Sequence, residues 1–530
     1  MKIGVIIDGA TVARWQADAL EAIAAESEFI IYSCTTPAPA RRSWRHSLYY
    51  ALNLLTVRNR LTRQVEVPSR LAGAARRTFA AELDGAWQRL PTEFIETVAA
   101  DRPAVLVKFG MGLLRVPPQL GVPILSYHHG DPARFRGRPA GFYELLSGAP
   151  VVGQIVQILS DKLDAGRIVA AAETQAIARS YRTTLIEAYR HSPLLLRRAI
   201  ANAVAGTSWQ PDNWGPAYRL PGNFKVVRFV GQRIAATVAH WLYGLFREKS
   251  WRVATAPVTE PVELDRLTAG LDQTSGWTRR PTPRGYHFVA DPFFAPDGSL
   301  LVEGLRSASA RGEILRLAGD GSTRLSHSAG HLSYPAPLAC DGTGFVVPET
   351  SDWAPVSAYP MSPDGLREPF ELRVPGRPRL LDPTPLRHGD AVYLFGNVAS
   401  EGASVLRLWV ADALDGDFTE HPDSPIRISP NGARMAGIPL MMADGRLLRV
   451  GQDSRRSYGD GIAFFAVTQL DRSHYAERLI GQYRFAEARG PHTLNLGRGE
   501  VAFDYYDDAI SLFAGVHRLR HRRAARRIGD

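Results

Sequence analysis

The sequence predicts two folds in one chain. The first is an α/β Rossmann-like domain on a parallel sheet over residues 1–205, and the second an all-β five-bladed propeller over 276–515. Three observations carry this. Short apolar runs alternate with helical stretches near the amino terminus, a strand-turn-strand unit recurs five times in the second half, and the residues between (206–275) change character to a basic, partly helical connector. A basic tail, 516–530, closes the chain. At 530 residues, 45% apolar and 22% charged, the composition supports several separate cores and excludes a disordered or fibrous chain.

In the first domain, KIGVIID and EFIIYSC are buried-strand candidates separated by a helical stretch, and PAVLVKF followed by VPILSYHH repeats the rhythm. No G-x-G-x-x-G follows the first strand, so the dinucleotide-binding fingerprint is missing. Sites in open sheets of this kind lie beyond the carboxyl ends of the strands. The polar run SYHHGDPARFRGRPAGFYELLSG after ILSY falls there, and GQIVQILSDKLDAGRIV follows it.

These two runs resemble the formyltransferases that use N10-formyltetrahydrofolate. The family pattern is Asn-x-His, a Pro-containing loop, an aromatic and an Arg-Gly or Ala-Gly nine residues past the His, and later Leu-Asp-x-Gly. Here Gly137 stands nine residues after His128, with Phe135 and Arg136 before it, and Leu163, Asp164, Ala165 and Gly166 supply the second half. The resemblance implies that His128 is catalytic, with Asp164 as its carboxylate partner. An amine attacking a formyl carbon creates an oxyanion that needs a donor, and the nitrogen must lose a proton, so an oriented His suits both needs. The family's oxyanion-holding Asn falls on Ser126, a departure. A serine hydroxyl reaches about one bond less far, and loss of one such donor typically costs about 100- to 1,000-fold in rate. His129 is the alternative to His128 if the loop register slips. Lys108, Gly110 and Gly112 lie where the family's cofactor-lining loop falls, although both glycines could serve tight backbone geometry alone.

In the second half the repeat copies begin at Ala290, Ser333, Leu381, Ala436 and Gly490, each a strand, a turn with glycine and a second strand. Their turn glycines, 298, 342, 389, 445 and 499, are spaced by 44, 47, 56 and 54 residues, the period of propeller blades. First strands of blades line a central channel, so Asp291, Tyr334, Asp382, Arg434 and His492 are expected to converge. Glu303, Glu349, Asn397, Gln452, Asp453 and Asp504 sit near the ends of second strands. The run VADPFF, HLSYP, VPET, LDPTPL, ARMAG, GQDSRRSYG resembles the propeller attached to plant glucosamine inositolphosphorylceramide transferases and, more loosely, arabinanase-type glycosidases. Glycoside hydrolysis needs two carboxylates roughly 5 to 9.5 Å apart, and Asp291, Glu349 and Asp382 are candidates. The same acids could instead hydrogen-bond turns and channel backbone.

The net charge of +10 is localised. Residues 41–77 carry +8, 224–252 carry +5 and 517–530 carry +5, leaving −8 elsewhere. A nucleic-acid partner is not expected from such a distribution. The segments 43–61 and 224–251 mix aromatic and aliphatic residues with Arg and Lys. They read either as amphipathic helices packed on their own domain or as peripheral membrane contacts. The longest uncharged run in these two segments, Ile234 to Phe246, is 13 residues against about 20 needed to span a bilayer. Two cysteines, Cys34 and Cys340, provide neither a disulfide framework nor a thiolate metal site, and the start MKIGVIIDGA reads as a strand, so the expected location is cytoplasmic, with membrane association as the variant. The expected activity is formyl transfer from N10-formyltetrahydrofolate to a primary amine of a nucleotide- or lipid-linked amino sugar. The alternatives are a propeller that hydrolyses or remodels a glycan or glycolipid beside a degenerate first domain, and a carbohydrate-binding scaffold without chemistry.

Overall fold

The computed structural model describes residues 1–36, 43–71, 73–260, 262–309, 311–319, 321–326, 330–350, 354–497, 499–516 and 518–519. The chain forms two compact units, Met1–Ala239 and His240–Asp530.

The first unit is built on seven strands: β1 (Lys2–Asp8), β2 (Glu28–Cys34), β3 (Ala75–Phe79), β4 (Val105–Lys108), β5 (Ile124–His128), β6 (Val151–Ile158) and β7 (Arg167–Gln175). They lie in the order β3-β2-β1-β4-β5-β6-β7. The first five are mutually parallel, and β6 and β7 each run antiparallel to the preceding neighbour. Strands covered on both faces must be apolar throughout rather than alternating. Ile3, Val5, Ile6 and Ile7 of β1 and Val105, Leu106 and Val107 of β4 are all buried. Strand order reverses between β1 and β4, which opens a crevice beyond their carboxyl ends. Gly110 is fixed by packing there: a Cβ at this position would lie 2.4 Å from both Ile7 C and Asp8 N. The covering helices are α1 (Arg14–Glu21), α2 (Ser47–Thr56), α3 (Thr92–Asp101), α4 (Phe142–Leu146), α5 (Tyr181–Val204) and the first part of α6 (Asn223–Phe246).

The segment expected to be a connector, 206–275, is shared out instead. Ala217–Tyr218 pairs with Arg136–Gly137. Val226 and Phe229 of α6 are buried in a cluster with Phe142 and Tyr181. Arg247–Pro257 then pairs along its whole length with Glu500–Ile510. The correction has a physical cause: Trp251, Val253, Ala254 and Ala256 form a buried strand core, but without the turn glycine that marks the other repeats. Of the tail 516–530, only Val516, Arg518 and Leu519 are among the described residues. Among the described residues no helix is long and apolar enough to cross a membrane.

The second unit contains five antiparallel sheets, each on a four-strand path. Their first strands are Tyr286–Phe294, Ser333–Cys340, Leu380–His388, Asn431–Met435 and Leu494–Leu496. The fifth sheet takes strands from both ends of the unit, since Arg247–Pro257 and Thr278–Arg280 complete it. All five turn glycines have positive φ, between 61° and 85°, the conformation that glycine adopts without strain.

The first strands share a second device. Pairing slips between Ala290 and Phe293, between Ser333 and Ala336, and between Leu381 and Thr384. The residue at each slip, Asp291, Tyr334 or Asp382, has φ near 50° (51°, 48° and 45°) and is followed by proline. Such bulges interrupt side-chain alternation and re-aim one side chain. Neighbouring first strands also meet in cyclic order. The Phe293 and Tyr334 rings lie 4.8 Å apart, Tyr334 OH is 3.0 Å from Thr384 Oγ1, and Arg434 pairs with Asp382. Leu494 N donates to Ala436 O, and Asn495 Nδ2 donates to Pro292 O.

Trp277 ties the incoming segment to the fifth sheet. Its ring packs 4.8 Å from Phe485, 4.7 Å from Phe503 and 5.2 Å from Tyr505, and its Nε1 donates to Leu271 O. Replacing Trp277 with Ala should destabilise the second unit by about 3–5 kcal/mol, read as a lower denaturant midpoint; an unchanged midpoint would remove this residue from the closure of the fifth sheet.

Candidate functional site

The carboxyl ends of β1, β4 and β5 bring one set of polar side chains together. In the parallel register Ser126 of β5 stands beside Lys108 of β4, and Lys108 beside Ile6 of β1, two residues before Asp8. Because strand side chains alternate, Ser126 and His128 share a face. His128 is buried, and its Nδ1 lies 3.5 Å from Asp164 Oδ2. Its Nε2 lies 3.0 Å from Phe135 O. Asp164 sits at φ 46° and accepts from Gly137 N at 2.9 Å, so the two sequence motifs are joined through one carboxylate. Burial pulls the Lys108 ammonium down to about 8, with Asp8 and Asp164 opposing the shift. Asp8 itself accepts from Met111 N at 2.7 Å, and Gly112 N donates to Gln88 Oε1 at 2.6 Å.

His129 has a different environment. It packs among Trp15, Tyr127 and Tyr189, its Nε2 is 2.8 Å from Ser192 Oγ, and burial pulls its pKa down to about 3. A ring kept neutral in an aromatic cluster is a packing element, so His128 rather than His129 faces Asp164. Close by, burial pushes the Glu144 carboxyl up to about 8. It borders a small recess of about 10 Å³ that Phe135, Arg136 and Tyr218 also line.

In the second unit the bulged strands concentrate charge. Arg434 Nε is 2.5 Å from Asp382 Oδ2, its NH2 is 3.1 Å from Asp382 Oδ1, and NH2 is also 3.6 Å from Glu349 Oε2. Gln452 Nε2 donates to Asp382 Oδ2 at 2.9 Å, and Asp382 N donates to Glu349 Oε2 at 3.1 Å. The Arg434 guanidinium also stacks 5.1 Å from the Tyr458 ring. Burial, reinforced by Asp382, pushes Glu349 up to about 7. Glu303 is held well above the usual carboxylate range by burial and by the charges of Asp291, Glu349 and Asp382.

A second group adjoins this one. Asp504 accepts from three backbone amides, those of Asp291, His492 and Thr493. His492 Nδ1 is 2.7 Å from Asp504 Oδ2, and its Nε2 is 3.3 Å from Asp291 Oδ1. Thr493 Oγ1 donates to Asp291 at 2.6 Å, and the Trp251 ring covers His492 at 4.1 Å. Burial lifts Asp291 to about 6, with His492 opposing and Asp504 reinforcing the shift. Asp291, His492 and Asp504 each present a ligand atom within 4.8 Å of the others, so they are the residues that could hold a metal.

Of the expected channel residues, the structure therefore brings together Asp291, Glu303, Glu349, Asp382, Arg434 and His492. Two depart. The Tyr334 ring is fully buried among apolar side chains, and its hydroxyl is bound to Thr384 and accepts from Gly437 N, so the bulge turns it into the inter-sheet core. Asp453 is held by Arg455 at 2.8 Å and Arg484 at 3.0 Å, away from Arg434, because Arg455 and Arg484 supply nearer cations. Asp504 and Gln452, expected near second-strand ends, also join the buried polar group, whereas sequence reasoning passed over Asp8, Glu144 and Tyr458. Asp8 carried a usable signal, since it ends the first strand two residues beyond Ile6, the register partner of Lys108.

Fold and site together define a two-part protein, an α/β unit with polar strand ends followed by an all-β unit of five sheets around buried acids and an arginine. Residues 282–498 match the family model described as glucosamine inositolphosphorylceramide transferase 1, N-terminal. Glucosamine inositolphosphorylceramide transferase 1 of Oryza sativa subsp. japonica is 26% identical over 264 residues, covering 45% of this chain and 34% of the relative. The protein of the same name from Arabidopsis thaliana is 26% identical over 276 residues, covering 49% of this chain and 34% of the relative. The chain thus spans about a third of the length of these relatives. Among solved structures, glycinamide ribonucleotide transformylase 1 from Symbiobacterium toebii is 20% identical with a TM-score of 0.26, covering 40% of this chain and 94% of that one. A 4-N formyltransferase from Francisella tularensis is 11% identical with a TM-score of 0.27, covering 44% and 87%.

The buried acids generate a pH dependence. Asp291 and Glu349, at about 6 and about 7, stand above their ordinary 3.8 and 4.5, so the folded protein binds these protons more tightly than the unfolded chain. Their stabilising contribution is complete below the unfolded values and is lost as pH rises through the folded ones. The double variant Asp291→Asn, Glu349→Gln should flatten the fall in thermal midpoint from about pH 4 to about pH 7 that these groups impose on the parent protein. An identical pH profile in parent and variant would contradict these shifts.

Proposed function

We propose that the first unit transfers a formyl group from N10-formyltetrahydrofolate to a primary amine, on a nucleotide- or lipid-linked amino sugar. We further propose that the five sheets are the blades of a propeller whose shared centre binds carbohydrate. The observation that carries the first reading is the 3.5 Å approach of His128 Nδ1 to Asp164 Oδ2, two residues from motifs far apart in sequence. The cyclic contacts between first strands support the second, and the match of 282–498 to part of a sugar-handling transferase supports the choice of a sugar.

N10-formyltetrahydrofolate supplies the formyl carbon. Asp164 holds the His128 ring, and His128 takes the proton that the attacking amine nitrogen sheds as it bonds that carbon. The carbon's bond to the donor nitrogen then breaks, and that nitrogen receives the proton from His128. The developing oxyanion needs a donor. Ser126 provides a hydroxyl on the His128 face of β5, and Lys108, its register partner on β4, places a buried cation beside it. Lys108 thereby offsets the loss of the longer amide donor. Gly110 keeps the loop after β4 tight against Asp8, leaving the strand ends open to the donor.

Release of tetrahydrofolate on incubation with a panel of amino sugars tests this reading. His128→Ala should slow turnover about 100- to 10,000-fold, and Lys108→Met about 100- to 1,000-fold. No turnover with any amine, or turnover indifferent to His128→Ala, overturns it.

A second reading rests on the ionisation of the second unit. Glu349 at about 7 is poised to give a proton, and Asp291 lies in the same buried group, the combination that glycoside cleavage uses. Glycan cleavage that disappears in both Glu349→Gln and Asp291→Asn would establish it; binding without cleavage leaves the carbohydrate-holding role.

A further inference from the structure

Helix α6, which runs from the first unit into the second, carries a face that is left exposed among the described residues. Only Val226 and Phe229 of its 24 residues are buried. Phe229 stacks on Phe142 at 4.3 Å, which anchors the amino-terminal turns. Turned away from that anchor, Phe224, Val227, Gly231, Ile234, Val238, Trp241 and Leu245 recur at alternating intervals of three and four and form one stripe. Phe224 is 83% exposed, Ile234 60% and Trp241 65%. The stripe widens at its amino-terminal end. Asn223 of α6 accepts from Leu48 N and donates to Trp44 O, which brings in Trp44, itself 82% exposed.

The charge on this face has one sign. Residues 223–246 and 43–61 contain no Asp or Glu; Arg228 and Arg45 are exposed at the amino-terminal end, whereas Lys225, next to buried Val226, holds its ammonium 5.5 Å from the Tyr143 ring, on the anchored side. A stripe that seats a second copy of the same helix is ordinarily flanked by charges of both signs, which pair across the seam. A stripe flanked by cations alone, with tryptophans at both ends, fits the boundary between lipid headgroups and acyl chains. At about 1.5 Å per residue the helix is about 36 Å long, but its charged turns keep it from crossing the acyl core.

We propose that α6, with Trp44 beside its start, lies flat on an anionic lipid surface, its apolar stripe in the acyl boundary and Arg228 and Arg45 against the headgroups. This holds whichever chemistry the two units perform, so its failure would leave the formyl-transfer reading untouched.

Flotation of the full-length chain with vesicles of phosphatidylcholine, with and without phosphatidylserine, tests the proposal. The protein should float with the phosphatidylserine vesicles, and raised salt should weaken this. The double variant Ile234→Ser, Trp241→Ser should lower partitioning at least about tenfold, because two large apolar side chains no longer enter the lipid. Arg45→Gln, Arg228→Gln should weaken binding at low salt and make little difference at high salt. Ile234→Leu should bind as the parent does. All these side chains are exposed, and an unchanged thermal midpoint will confirm that the variants fold. Failure to float, equal binding to both lipid compositions, or binding indifferent to the Ile234 and Trp241 substitutions overturns the proposal. So does a dimer in sedimentation equilibrium that the same substitutions dissolve, since the stripe would then seat a second copy.

Discussion

Burying several carboxylates within reach of one another is the constraint on which the second unit turns. Like charges in a low-dielectric interior cannot all ionise unless a cation or directed amides meet them. The Arg434 guanidinium meets Asp382 with two contacts and reaches towards Glu349. Asp504 is met instead by three backbone amides and by His492. Asp291 and Glu349 are left to rise towards neutrality. Such an arrangement destabilises the fold relative to an apolar centre, and it persists because the sheets around it hold the backbone in place.

The backbone meets this constraint through a repeated defect. A left-handed residue before proline in each of three first strands directs the side chain off the regular alternation. The device gives different results according to the residue placed on it. Aspartates at 291 and 382 enter the charged group, while the tyrosine at 334 fills the core between sheets and satisfies its hydroxyl on Thr384 and Gly437. In the first unit the crevice between β1 and β4 does comparable work with regular strands. Parallel register alone brings Lys108 and Ser126 side by side, and a single left-handed aspartate, Asp164, reaches His128 from another loop.

Much of this was legible in sequence because it depends on local rules. The turn glycines marked five strand pairs, and all five adopt the positive φ that made them recognisable. The buried strands of the parallel sheet showed as uninterrupted apolar runs, and the His128 and Asp164 motifs stood out through their resemblance to the formyltransferase pattern. The split of 206–275 was not legible. Trp251 to Pro257 is a strand only because Glu500–Ile510 lies alongside it, some 250 residues later in the chain. Nor does composition tell an amphipathic helix packed at home from one with a bare face, since both have the same periodicity; for α6 that depends on which turns Phe142 and Tyr181 cover.

The sequence by itself determined the parallel sheet of the first unit, the strand-turn-strand repeats of the second and the residue types able to carry chemistry, since periodicity and turn residues act over a few neighbours. Tertiary structure alone decided which of those residues meet. It sent Tyr334 and Asp453 away from the charged group and brought Asp504 into it. It also placed His129 in an aromatic cluster while leaving His128 to Asp164. These outcomes depend on distances between segments far apart in the chain and on the desolvation each charge meets, and neither quantity exists until the chain has folded.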